Sequence, residues 1–450
     1  MSASDGVADR LARGLGGTVA SVTRLSGGAS RVTSAVDLVE PDGTHRALVL
    51  QQRRGDGLTP GARVALEAAL LRAAAAVGAP VPGVVAAGAP DGLDEGWLVV
   101  ERLEGEAIAR RLLRDDAYAV ARRGLTGQVA RALARIHAIP VDGVPGLPAA
   151  DPLRRPLGFL DGTGEVRPVL ELAWRWLEAD RPHPTGRTVV HGDYRMGNLL
   201  VDHRGLRGVL DWELAHAGDP AEDVGWLSAP AWRFGGSGVV GGFGRLDEFL
   251  AAYGAAGGAT IDPEAVRWWQ VFATLKWAVI CALQASVHLS GAVRSVELAA
   301  IGRRVCESEW DLLGLLGVPL AEATDAHLPA EAPRVPPAPF GRPTARELSD
   351  AVEGYLRDKV LPASEGAARF DARVAANVLA VVARELMLGP GATTAHRHRL
   401  VDLGAEDDAA LAGSIRAGDF DDRILETGAV LAGSVADALR IANPGYLDRR

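Results

Sequence analysis

Apolar and polar positions alternate with a period near two along the first hundred residues, and the period then lengthens. Val19 to Leu25, Val32 to Val39 and Ala47 to Gln51 are short β-prone runs. Ser26-Gly27-Gly28-Ala29-Ser30 and Pro41-Asp42-Gly43 separate them, and both are turn signals. An Ala/Leu-rich helix is expected from about Gly61 to Val77, ended by Gly78-Ala79-Pro80. Two more strand-like runs lie near Val84 to Ala87 and Trp97 to Leu103. Residues 1–103 therefore read as a small sheet with a single helix.

From 104 to 325 the spacing is mainly helical. Ala117 to Ile139 is one amphipathic helix, and Pro263 to Leu316 is a helical stretch broken near Gly291. The exception is Thr188 to Glu213. There Leu199 to Val201 and Leu206 to Leu210 flank the turn Asp202-His203-Arg204-Gly205, which is a hairpin inside a helical region. Residues 326–343 are Pro-rich and read as an extended linker. Beyond it, Leu348, Val352, Tyr355 and Leu356, then Phe370, Val374, Val378, Val381 and Val382, fall at helical spacing. Gly389-Pro390 is expected to stop the second of these helices. Residues 344–450 thus read as a separate all-helical unit. The fold class is α+β, with an all-α C-terminal domain.

Composition narrows the chemistry. Of 450 residues, 48 are Lys or Arg and 57 are Asp or Glu, a net charge of −9. That balance argues against a nucleic-acid binder, which needs a basic face. Cys281 and Cys306 are the only cysteines, too few for a disulfide framework and in keeping with a reducing, cytoplasmic setting. The first residues show no basic and apolar leader pattern. The most apolar long window, Leu275 to Val293, contains Lys276, Gln284 and His288 and reads as a core helix, so no membrane association is expected. Lys276 and Lys359 are the only lysines. A phosphate loop ending in Gly-Lys-Ser/Thr is therefore excluded from the first half.

The informative segment is His191-Gly192-Asp193-Tyr194-Arg195-Met196-Gly197-Asn198, followed by Val209-Leu210-Asp211-Trp212-Glu213. Phosphoryl transfer from ATP needs one carboxylate to orient the attacking hydroxyl, and further oxygen ligands for Mg2+. An Asp, an Asn five residues on, and a second Asp brought back by a hairpin supply those parts.

On these motifs the chain resembles the aminoglycoside phosphotransferase-like kinases over about residues 20–320. The resemblance implies a bilobal protein-kinase-like fold that binds ATP and Mg2+. It makes Asp193 the catalytic base, Asn198 and Asp211 the magnesium ligands, His191 a support for the loop, and Asp223 a structural residue. Arg195 either neutralises the γ-phosphate or is a surface arginine paired with Glu213 or Asp219. The Gly27-Gly28 loop with Ser30 becomes the nucleotide loop, and Glu67 the ion-pair glutamate. Backbone groups of Glu101 and Leu103 would meet adenine. The third strand departs from the family pattern. It carries Gln51 where a basic residue is expected, and Arg53, one pleat on, is the favoured substitute.

The acceptor is less legible. Trp212, Trp226, Trp232, Trp268, Trp269 and Trp277 are aromatic walls or, more simply, core. Glu213, Asp219 and Glu222 could attract a cationic acceptor. The motif wording is most similar to family members fused to acyl-CoA dehydrogenases, so the small-molecule hydroxyl acceptor is a hydroxyacyl-CoA-type metabolite or an antibiotic. The tail looks like a bacterial helical domain of unknown function, with a role in self-association or in docking a protein partner; Asn377, Arg384 and Glu385 are either a polar network at an interface or a buried structural pair. The alternative reading is a non-catalytic nucleotide-binding module whose tail does the docking, favoured by Gln51.

Overall fold

The computed structural model describes residues 3–25, 31–53, 60–88, 96–149, 154–321, 323 and 342–448. The alternating region forms α1 (Ala3–Leu15), β1 (Thr18–Arg24), β2 (Arg31–Val39), β3 (His45–Arg53), α2 (Pro60–Ala76), β4 (Val84–Ala87) and β5 (Trp97–Glu101). Then come α3 (Ala109–Arg114), α4 (Ala119–His137), α5 (Arg154–Thr163) and α6 (Pro168–Ala179). Four short strands follow: β6 (Thr188–Val190), β7 (Leu199–Asp202), β8 (Gly205–Val209) and β9 (His216–Gly218). The chain continues through α7 (Pro220–Ser228), α8 (Leu246–Ala255), α9 (Pro263–Leu289), α10 (Val296–Gly302) and α11 (Val305–Leu316). It ends with α12 (Ala345–Tyr355), α13 (Gly366–Asp402), α14 (Asp408–Ala417) and α15 (Ile424–Ala442).

These elements sort into two units, Met1–Ala150 with His183–Trp269, and Asp151–Pro182 with Gln270–Arg450. The first holds an antiparallel five-stranded sheet in the order β1-β2-β3-β5-β4. Val36, Leu38, Leu48, Leu50, Trp97 and Val99 pack with Leu11 of α1, a helix the strand pattern did not announce. Burying each large side chain fully is worth roughly 1.5–3 kcal/mol. The intervening positions of β2 and β3 point to the other face. There Arg31 lies opposite Arg53, and Thr33 opposite Gln51. The predicted hairpin is β7–β8, pairing Leu199 with Val209. A second small sheet, β6–β9, pairs Val190 with His216 and brackets the same loop.

The second unit is helical, and it joins the tail to helices from 151–182 and 270–321, so the tail is not the separate unit that its sequence suggested. The tail packs onto earlier helices here: a Cβ on Gly428 of α15 would meet Val318, Leu313 and Leu172. Tyr446 Oη donates to Asp311 at 2.7 Å, and Asn443 Nδ2 to Glu307 at 2.9 Å. Two expectations are corrected. Gly389-Pro390 does not stop a helix, because α13 runs on to Asp402. A residue before proline is normally pushed from helical geometry by its own Cβ, which Gly389 lacks. Among the described residues, Asn377, Arg384 and Glu385 form no joint network. Asn377 accepts from Arg357 at 3.4 Å, and Arg384 Nε caps the end of α15 at the Ile441 carbonyl at 2.6 Å. Glu385 pairs with Arg303 at 2.5 Å. Adjacent helical positions point in different directions, so 384 and 385 find different partners. The expected linker at 326–343 lies almost wholly outside the described residues. Cys281 and Cys306 are buried and unbridged, and burial pushes both thiols up to about 12.

Glu171 is buried on α6 and accepts two hydrogen bonds from Arg416 of α14, at 3.0 and 2.5 Å. Arg416→Ala leaves that carboxylate unpartnered. It should cost about 1–3 kcal/mol in urea unfolding, with water at the half-exposed arginine side keeping it towards the lower end. Glu171→Gln should cost less.

Candidate active site

The loop between β6 and β7 is built from its backbone outward. Asp223 of α7 is fully buried, and its carboxylate accepts the N–H of His191 at 2.7 Å and of Gly192 at 2.9 Å. His137, at the end of α4, donates to it from Nε2 at 3.1 Å, while its Nδ1 accepts from Tyr253 Oη at 2.7 Å. Burial alone would raise the Asp223 pKa, but the His137 contacts and the loop donors outweigh it and hold the carboxyl below its ordinary range. Gly192 has φ +78, and a Cβ there would lie 2.4 Å from the Leu214 carbonyl oxygen. Only glycine fits.

His191 is buried and neutral. Nε2 donates to the Leu210 carbonyl at 3.1 Å, so Nδ1 is the acceptor for the Asp193 N–H at 3.3 Å. Burial pushes its pKa down, against the charges of Asp223, Asp193 and Asp211. The ring thus joins the Asp193 backbone to the strand end that precedes Asp211. Leu210 N–H in turn donates to the Asn198 carbonyl at 2.8 Å, so the hairpin sets Asp211 beside Asn198. Asp211 has φ +65, a left-handed conformation that a non-glycine residue adopts at a cost, and one found at functional sites.

Asp193 is held on both oxygens. Oδ1 accepts from Trp226 Nε1 at 2.8 Å and from Arg195 Nε at 2.8 Å; Oδ2 accepts from Asn198 Nδ2 at 2.5 Å. The Arg195 guanidinium also lies over the Trp232 ring at 4.5 Å. Its partner is Asp193, in place of the Glu213 or Asp219 pairing weighed from the sequence. Tyr194 is anchored through Oη to the Val129 carbonyl of α4 at 2.8 Å.

On the small sheet the cation nearest Glu67 is Arg31, which the sequence reading passed over. Arg31 Nη1 donates to Glu67 Oε1 at 2.9 Å and to Gln51 Oε1 at 2.5 Å. Its Nη2 donates to Asp211 Oδ1 and lies 3.5 Å from Glu213 Oε2. Burial alone would lower its pKa, but Glu67 and Asp211 hold the guanidinium above its ordinary range. Arg53 is a more distant member, 3.4 Å from Glu67 and 3.5 Å from Glu213. Its buried Nε has no hydrogen-bond partner among the described residues. The signal for Arg31 was its place at the start of a β-run, directly after the glycine loop, in a half-chain without lysine.

Gly27, Gly28 and Ser30 lie outside the described residues. Glu101 closes β5 with its N–H committed to the Gly83 carbonyl at 2.9 Å, and among the described residues Leu103 N–H has no backbone partner. The acids proposed for a cationic acceptor are engaged. Asp219 caps α7 through Ala221 N–H at 2.8 Å, Glu222 pairs with His216 at 2.9 Å, and Glu213 faces the two arginines. Trp212, Trp226, Trp232, Trp268 and Trp269 are buried, as the core reading has it.

The donor set fits magnesium. Asn198 Oδ1 accepts no hydrogen bond among the described residues, and the Asp211 side chain stays one-third exposed. Both are oxygen ligands suited to a hard cation. Arg53 Nε, a buried donor without an acceptor, suits a phosphate oxygen.

The phosphotransferase enzyme family profile matches residues 21–269, more than half of the chain. A domain of unknown function, DUF6285, matches residues 362–446. Both resemblances read from the motifs are met by these matches. A 61-residue stretch is 39% identical to acyl-CoA dehydrogenase family member 10 of Mus musculus, spanning 13% of this chain and only 6% of that protein. The crystal structure of a proposed aminoglycoside phosphotransferase from Ralstonia eutropha JMP134 has a TM-score of 0.54 at 19% identity, covering 69% of this chain and 97% of that one. This is a likeness of fold. A macrolide 2'-phosphotransferase from Brachybacterium faecium has a TM-score of 0.48 at 20% identity, covering 67% and 98%.

Two outcomes follow from the loop's geometry. Gly192→Ala should cost about 1–3 kcal/mol from the left-handed backbone alone, with the backbone clash added, read as a lowered urea midpoint. His191 sets a pH dependence. Its folded pKa is depressed, so as pH falls the unfolded chain takes up the proton first. Stability should therefore drop below about pH 6.5. In His191→Gln that part of the slope should vanish; an unchanged slope would mean the imidazole is not buried neutral.

Proposed function

The chain belongs to the phosphotransferase enzyme family, and from that premise we propose that it transfers the γ-phosphate of ATP, with Mg2+, to a hydroxyl group of a small molecule. The observation that carries this reading is the convergence of Asp193, Asn198 and Asp211 on one loop closed by a hairpin. In the reaction the acceptor oxygen bonds to the γ-phosphorus, and the bond from that phosphorus to the β–γ bridging oxygen breaks. The hydroxyl proton passes to Asp193, and ADP leaves.

Asn198 and Asp211 would hold the magnesium ion. When bound, it supplies charge neutralisation on the phosphate oxygens. Asp193 works mainly by orientation. Three donors fix its carboxylate and leave lone pairs for the acceptor hydroxyl. Arg195, tied to Asp193 and stacked on Trp232, neutralises charge on the group in transfer. Leu103 N–H, which has no backbone partner among the described residues, would meet the adenine edge.

The acceptor is a hydroxyacyl-CoA-type metabolite in this reading. The motif wording and the stretch shared with acyl-CoA dehydrogenase family member 10 support it. Asp219, Glu222 and Glu213 are engaged within the protein, which weakens the case for a cationic amino sugar. The binding-module reading rested on the uncharged Gln51, and Arg31 beside it removes that reason.

A screen of hydroxyacyl-CoA thioesters, aminoglycosides and other hydroxylated metabolites should find acceptor-dependent ADP release that needs Mg2+. Asp193→Asn should reduce it by about 10²-fold or more. Turnover undiminished in that variant, or absent with every acceptor, would sink the proposal. Arg195→Ala should lower kcat more than it raises the KM for ATP; an unchanged kcat would leave the residue with a structural task only.

A further inference from the structure

The third strand carries uncharged Gln51 at the position where a kinase of this kind has its basic residue, and of the two arginines that face Glu67, Arg31 of the second strand lies closer than Arg53 of the third, at 2.9 against 3.4 Å. We propose that Arg31, entering from β2, is the residue that positions the nucleotide phosphates, with Gln51 serving as its neutral hydrogen-bond partner. This rests on the kinase reading above and adds to it a residue that no motif assigned.

Register is the first support. Arg31, Thr33, Gln51 and Arg53 share one face of the β2–β3 pair, with Arg31 opposite Arg53 and diagonal to Gln51. A basic side chain at 51 would reach from β3 towards Glu67. The Arg31 fork already fills that place, with Nη1 on both Gln51 Oε1 and Glu67 Oε1 at 2.5 and 2.9 Å. The two positions exchange roles: charge sits on β2 and the uncharged acceptor on β3.

Reach is the second. Nη2 of the same guanidinium contacts Asp211, the residue set beside Asn198 by the hairpin. Among the described residues, Arg31 alone touches the α2 glutamate and this aspartate together. Arg53 reaches Glu67 and Glu213 only at 3.4 and 3.5 Å.

Charge is the third. Among the described residues, Arg31 and Arg53 face Glu67, Asp211 and Glu213. Asp211 would be shared between Nη2 and a divalent cation when one is bound, and that cation's charge would loosen the hold of the carboxylate on Nη2. Nη2 is then available to phosphate oxygens, for which the planar fork is well shaped. Glu67 and Gln51 keep Nη1 in place meanwhile. The same reasoning explains why Gln51 is uncharged: a second cation within hydrogen-bond distance of Arg31 would repel it.

The test is calorimetric titration of the full chain with Mg·ADP, with circular dichroism to monitor folding, so that binding is read without turnover. Arg31→Gln should weaken binding by roughly tenfold to a hundredfold, the range for losing a charge-assisted contact. Arg53→Gln should lose less. Gln51→Lys alone should weaken binding and lower the unfolding temperature. In Arg31→Gln/Gln51→Lys the cation returns from β3, and most of the affinity should come back. That double variant carries the test if Arg31→Gln alone does not fold. Wild-type affinity in Arg31→Gln, a larger loss in Arg53→Gln, or a folded double variant with no recovery would overturn the proposal while leaving the kinase reading intact. A wild type that binds no Mg·ADP would overturn both.

Discussion

A guanidinium buried among carboxylates ties one face of the small sheet to the rest of its unit. Arg31 sits at the start of β2, yet its partners come from α2, β3 and the segment after the hairpin. Placing such a charge in a dry interior is costly unless it is paired and hydrogen-bonded, and removing one partner leaves the others uncompensated. The segments that carry Glu67 and Asp211 are therefore held at a common point by electrostatics. Apolar packing, through Leu48, Leu50 and their neighbours, holds the opposite face of the same strands.

The second fixed point is Asp223. A fully buried carboxylate with two backbone donors and an imidazole donor has little freedom, and it sets where the loop from His191 begins. From there the order is passed on atom by atom. His191 joins the Asp193 backbone to the Leu210 carbonyl, and Leu210 joins the Asn198 carbonyl. None of the links need touch substrate. Their effect is to keep three oxygen-bearing side chains in register, which suits a reaction that depends on positioning and charge stabilisation.

Much of this was legible as pattern. The three strands, the single helix after them and the β7–β8 hairpin follow from alternation and turn residues, because each is a local preference reinforced by burial on one face. The loop residues were legible because their chemistry demands particular groups at particular spacings. α1 was not, since an amphipathic helix ahead of a sheet carries no signal of what it covers. Pro390 misled because proline's effect depends on the residue before it, and a glycine there relaxes the clash.

By itself, the sequence determined the α+β class, the hairpin that returns Asp211 to Asn198, and the absence of lysine from the first 275 residues. Those properties live in composition and in neighbours a few residues apart. Only the tertiary structure decided which arginine stands opposite Glu67. Arg31 is 36 residues from Glu67 and 180 from Asp211 along the chain. A strand exposes alternate side chains to one face, so the register between β2 and β3 brings Arg31 diagonal to Gln51. No local pattern encodes that distance, because it is the pairing of strands that creates it.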